Sequence, residues 1–150
     1  MKKVINLILA VLITGCINAQ WNYKTINNGF DDPFKIAYVQ SNDYGLAKLE
    51  NVNSSIVFYI QDTYFCDDYP SVDIVFTING VDKKYHLTGD KSNDNTTIFL
   101  TWDFESLPEL LKDFKAATLM KVRINESYCT ENTYSFKMTN TTLAYDFMKN

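Results

Sequence analysis

The stretch Val72-Asp73-Ile74-Val75-Phe76-Thr77-Ile78-Asn79-Gly80 decides the fold class. Val72, Ile74, Phe76 and Ile78 recur with a period of two, which puts them on one face of a strand and the intervening side chains on the other. Asn79-Gly80 then supplies two residues that tolerate the positive φ of a type I′ turn, so the chain should reverse into an antiparallel partner over Lys84 to Thr88. The same period runs through Tyr134-Ser135-Phe136-Lys137-Met138. Ile56-Val57-Phe58-Tyr59-Ile60 does not alternate, which predicts a strand buried on both faces.

Working outward, further strands are expected over Trp21 to Ile26, Lys35 to Gln40, Leu46 to Val52, Thr97 to Trp102 and Leu119 to Asn125. Asn28-Gly29, Asp32-Pro33 and Tyr44-Gly45 punctuate the early ones. One helix interrupts the series. Ser106 and Glu109 read as a capping box, Pro108 falls in the first turn, and Leu107, Leu110, Leu111 and Phe114 share a helical face. A second short helix fits Thr141 to Lys149, with Leu143, Ala144, Phe147 and Met148 on one side. These signals together predict an antiparallel β-sandwich of about nine strands with one capped helix and a short C-terminal helix.

The chain has 150 residues, 46% hydrophobic and 15% aromatic, with 5 Gly and 3 Pro, enough for one ordered domain. Eighteen acidic against fourteen basic groups give a formal charge of -4, and Lys83-Lys84 is the sole adjacent basic pair after the leader. That balance argues against nucleic acid as a partner.

Residues 1–19 differ from the remainder. Met1-Lys2-Lys3 is positive, Val4 to Ile13 is apolar apart from Asn6, and small and polar residues follow, the pattern of a bacterial export signal. At roughly ten residues this apolar run is well short of the ~20 that span a bilayer. Two cleavage readings stay open. Ile13-Thr14-Gly15-Cys16 fits a lipobox, with Cys16 acylated and the protein anchored in the envelope. Cleavage after Ala19 instead leaves a domain of residues 20–150 that is periplasmic or secreted. Against the lipoprotein, Trp21 opens the first strand, and Ile17 to Gln20 would be a very short tether. Loss of the leader leaves twelve basic against eighteen acidic residues, a formal charge of -6. With Cys16 acylated or removed, Cys66 and Cys129 form an even pair in a chain bound for an oxidising compartment, so a disulfide between them is expected.

From Ser92 onward the order is a polar turn, the strand from Thr97, the Leu-rich helix, Leu119-Met120-Lys121-Val122-Arg123-Ile124, and Tyr134-Ser135-Phe136-Lys137-Met138. This order resembles the C-terminal half of small exported β-sandwich proteins such as the invasion-associated locus B family and type VI secretion accessory proteins. The resemblance covers little more than a third of the chain. Those families usually end the last strand with a small residue and Gly, where Thr139-Asn140-Thr141-Thr142 stands here. The resemblance implies fold and compartment and carries over no catalytic residue.

Catalytic patterns are sparse. His86 is the one histidine, on a strand whose neighbours Lys84 and Thr88 indicate a solvated face, and no nucleophile elbow accompanies it. No cofactor motif occurs. Asp90, Ser92 and Asp94 place oxygens at alternate positions as calcium loops do, but Asn95 replaces the turn Gly and Thr101 the bidentate Glu, so a polar turn is expected and no metal. Asp31-Asp32, Asp67-Asp68 and Asp103 with Glu105 are paired carboxylates, which a glycosidase would need facing each other across a sugar.

The disulfide gives the one candidate surface. It would bring Tyr64, Asp67, Asp68 and Tyr69 beside Glu126 and Tyr128. Aromatic rings lose little rotamer freedom on binding and carboxylates steer cations, so such a surface suits a basic protein or peptide, or a glycan. The bland reading is that Tyr64, Phe65 and Tyr128 pack around the disulfide. The expected function is a non-enzymatic envelope or secreted protein that binds another macromolecule, touching membrane solely through a lipid anchor. The alternatives are a carbohydrate-active or other hydrolase using paired carboxylates, and a structural component of an envelope assembly.

Overall fold

A computed structural model describes residues 20–27, 29, 33–41, 43–52, 55–100 and 106–150. The leader with Cys16, and the pairs Asp31-Asp32 and Asp103 with Glu105, lie outside the described residues. The strands are β1 (Asn22–Ile26), β2 (Phe34–Gln40), β3 (Leu46–Val52), β4 (Ser55–Gln61), β5 (Ser71–Ile78), β6 (Val81–Lys91), β7 (Thr97–Leu100), β8 (Leu119–Asn125) and β9 (Asn132–Lys137). Helix α1 (Pro108–Ala116) enters between β7 and β8, and α2 (Thr141–Lys149) follows β9. The protein is mainly β, and all nine strands pair antiparallel in one sheet ordered β1-β2-β3-β4-β7-β6-β5-β8-β9.

The hairpin at Asn79-Gly80 forms as its chemistry requires. Both residues have positive φ, 51° and 79°, and Ile78 pairs with Val81 across the turn. Val72, Ile74 and Phe76 are buried, and Ile78 is half-buried at the turn. Beyond the expected Thr88, β6 runs on to Lys91. Its first eight residues pair with β5 and Gly89 to Lys91 pair with β7, so this one strand belongs to both halves of the sheet. At Gly89 a Cβ would come within 2.3 Å of Ile98 Cγ2, so glycine is what lets β6 cross so near β7. β4 is buried on both faces as its sequence demands. Phe58 and Ile60 face the core, whereas the outward Tyr59 lies under Phe99 at 5.5 Å and Lys48 Nζ at 5.5 Å.

The sheet curls until its ends approach each other. β2 comes near β9, Tyr134 on β9 donates to Asp62 just after β4, and an isolated parallel bridge joins Gln20 to Thr139. The two faces of the sandwich are therefore halves of one sheet around one core. Phe114 of α1 seats its ring against Trp21 (6.0 Å), Phe58 (5.6 Å) and Phe76 (6.1 Å), tying both halves to the helix. The buried Asp113 carboxylate beside it accepts from Tyr85 at 2.6 Å and Lys83 at 2.9 Å, fixing α1 on β6.

The start of α1 differs from the capping-box expectation. Leu107, not Ser106, stands at the N-cap, and no side chain makes a cap hydrogen bond there. Pro108, whose missing N–H costs nothing at a helix start, and Glu109, favoured by the positive end of the dipole, define the N-terminus instead. On α2 the buried face is Thr141, Ala144, Tyr145 and Met148, while Leu143 is exposed. Trp21 Nε1 donates to Thr141 Oγ1 at 3.2 Å and Asn51 Nδ2 to the Met148 carbonyl at 2.8 Å, docking α2 against the first half of the sheet.

Candidate functional site

Cys66 and Cys129 are joined, with Cα atoms 6.1 Å apart. The strand register explains the meeting: Ser71 at the start of β5 lies opposite Asn125 at the end of β8, so the loop entering one and the loop leaving the other begin side by side. Carboxylates then lace the loops together. Glu126 accepts from the backbone N–H groups of Cys66 and Asp67, the latter at 3.0 Å, and Asp67 accepts from the backbone N–H of Ser127. Lys91 Nζ donates to the Cys66 carbonyl at 2.7 Å and pairs with Asp68 at 3.1 Å, and Phe65 N donates to the Asn95 carbonyl at 2.7 Å.

These contacts sort the expected residues. Tyr64, Tyr69 and Tyr128 are 57%, 73% and 90% exposed, whereas Phe65 between them is fully buried. Phe65 therefore serves the core, and the three tyrosines stand mostly in solvent. Asp68 is exposed as well. Asp67 and Glu126 are turned inward onto backbone amides, so they shape the loops and present little free charge. Asp67, Tyr69, Ser71, Asn125 and Ser127 also line a polar recess of about 320 Å³.

Of the carboxylate pairs read from the sequence, Asp67-Asp68 lies among the described residues, and its two members diverge: Asp67 turns to the Ser127 N–H and Asp68 to Lys91. Among the described residues, too, no cluster of three His, Cys, Asp or Glu could hold a metal ion. Asp90 lies within β6, and Asp94 accepts from Ser92 Oγ and from the N–H (3.1 Å) and hydroxyl (2.9 Å) of Thr96, a self-contained polar turn. Those donors lower the Asp94 pKa.

Sequence reasoning missed a second cluster, on the outer face of β6, β5 and β8. Asp73 Oδ1 lies 2.6 Å from His86 Nδ1, and Asp73 Oδ2 accepts from Arg123 Nη2 (2.6 Å), Arg123 Nε (3.1 Å) and Asn125 Nδ2 (3.1 Å). The hydrogen bond with His86, and then those from Arg123, hold the Asp73 carboxyl well below the usual carboxylate range. Half of this was countable. A two-residue turn at Asn79-Gly80 pairs Asp73 with His86 by arithmetic alone, while Arg123 arrives through a strand pairing fifty residues away in sequence.

Three tyrosines inside the fold pair with carboxylates: Tyr59 with Glu50, Tyr85 with Asp113 and Tyr134 with Asp62. Burial and then the adjacent acid raise all three pKa values, that of Tyr85 to about 12. They act as struts between neighbouring elements.

Among the described residues no helix is long and apolar enough to cross a membrane. No protein-family model matches the chain, and neither any curated protein nor any solved structure matches it.

Proposed function

We propose that this is an exported, non-enzymatic protein that binds a basic macromolecule, a protein or peptide, through the stapled loops. The carrying observation is that Tyr64, Tyr69 and Tyr128 stand 57%, 73% and 90% exposed on segments fixed by a disulfide and by carboxylate-to-backbone bonds. Rings held out on a rigid support surrender little freedom on association, so their buried area is turned into affinity with small loss. Asp68, exposed although paired with Lys91, adds a carboxylate among them. Asp67 and Glu126 contribute by holding the loops in shape. The disulfide supports the export reading, because such bonds form and persist in oxidising compartments.

The test is affinity capture from the native envelope with the mature domain as bait, against a Tyr69→Ser/Tyr128→Ser/Asp68→Lys variant. All three positions are exposed, and because Asp68 pairs with Lys91, near-ultraviolet circular dichroism checks that the loops of the variant keep their shape. A basic partner recovered by the wild type should be depleted roughly tenfold or more with the variant, as expected for lost aromatic anchors. Equal recovery by both would sink the proposal.

A further inference from the structure

The outer face of the sheet around β5 forms a second, oppositely charged surface. Val75 on β5 pairs with Lys84 on β6 and with Lys121 on β8, so two exposed lysines flank one short apolar side chain. Neighbouring strands lie ~4.8 Å apart, which sets the two lysine Cα atoms roughly 10 Å from each other across the Val75 floor. Together with His86, Arg123, Glu131 and Asp73 they line a groove of about 500 Å³.

The charges in this groove are not balanced. Asp73 is consumed by His86, Arg123 and Asn125, and Glu131 interacts with Arg123. Among the described residues neither Lys84 nor Lys121 forms an ion pair, although acidic residues outnumber basic ones in the chain. Across this span the two ammonium groups repel each other at low salt, and an anion seated between them would remove that repulsion. Arg123, gripped through Nε and Nη2, is fixed beside the lysines.

We propose that this groove binds a small ligand bearing two oxyanion groups, phosphate or sulfate esters, one for each lysine ammonium. Lysine meets such groups as a point charge with three donors, and a groove of this volume suits a sugar- or nucleotide-sized molecule. The site is separate from the stapled loops and does not depend on their role.

The experiment is calorimetric titration of the mature domain at low salt with two probes, inorganic tripolyphosphate and a fully sulfated disaccharide. Saturable binding of at least one is expected. It should weaken by roughly tenfold or more in Lys84→Gln/Lys121→Gln and persist in the control Lys24→Gln/Lys112→Gln, which removes the same charge elsewhere. Near-ultraviolet circular dichroism checks that both variants keep the native fold. The tighter probe shows which of the two oxyanions the groove prefers. No saturable binding by either probe, retention of binding without both groove lysines, or an equal loss in the control would overturn the proposal.

Discussion

Asp73 is a single carboxylate that joins three strands: it receives His86 from β6 and Arg123 and Asn125 from β8. Its pKa is depressed by these partners, so its contribution to stability is fully present above the ordinary value near 3.9. That contribution fades as pH falls below about 4 toward the folded-state value. Asp73→Asn should therefore cost on the order of 1 kcal/mol at pH 7, the site being partly exposed and screened. The difference from wild type should shrink steadily in urea titrations as the pH is lowered from about 4 toward 2. A cost that stays constant with pH would show that packing, not charge, is the role of this residue. At this scale the sequence was legible where a turn fixes the count. The exposure of Tyr64, Tyr69 and Tyr128, and the inward turn of Asp67 and Glu126, depend on which backbone amides a neighbouring loop leaves open, and spacing carries no record of that.

Strand β6 is the element in which the two halves of the sheet become one. Its expected extent, Lys84 to Thr88, was too short at both ends. Val81-Asp82-Lys83 is largely polar and Gly89-Asp90-Lys91 reads as a turn, yet each has a partner strand that overrides its weak propensity. Gly89→Ala forces a methyl into Ile98 Cγ2 and near Val72 Cγ2, and should destabilise by ~1–3 kcal/mol through overpacking. Ile98→Ala, which removes that Cγ2, should cost ~2–5 kcal/mol alone. The double variant should cost clearly less than the sum in thermal or urea unfolding, and strict additivity would refute the clash. The helix α1 was legible from its apolar spacing, but its N-cap was not. Ser106 with Glu109 is a frequent signature that the chain entering from β7 does not use here.

For the whole molecule, strand count, antiparallel pairing and the cysteine pair were all readable from short-range pattern. The curl of one sheet into two packed faces was not, because it depends on strand order, and order follows from pairings between residues far apart in the chain. The disulfide acts at this scale. It closes a separation of 63 residues, so Cys66→Ser/Cys129→Ser should lose ~4 kcal/mol by the chain-entropy argument, read as a lower urea midpoint with the native circular dichroism retained. A variant with an unchanged midpoint would mean that the laced carboxylates alone hold the loops.

The hydrogen bond from Trp21 to Thr141 spans 120 residues and, with the bridge from Gln20 to Thr139, fastens the first segment of the domain to the last. The segment leading into β1 therefore gains this partner once a stretch some 120 residues further along the chain is in place. Burial of the indole at its head is thus tied to a distant pairing, and the expected tempo of folding is that of high-contact-order topologies, roughly milliseconds to seconds.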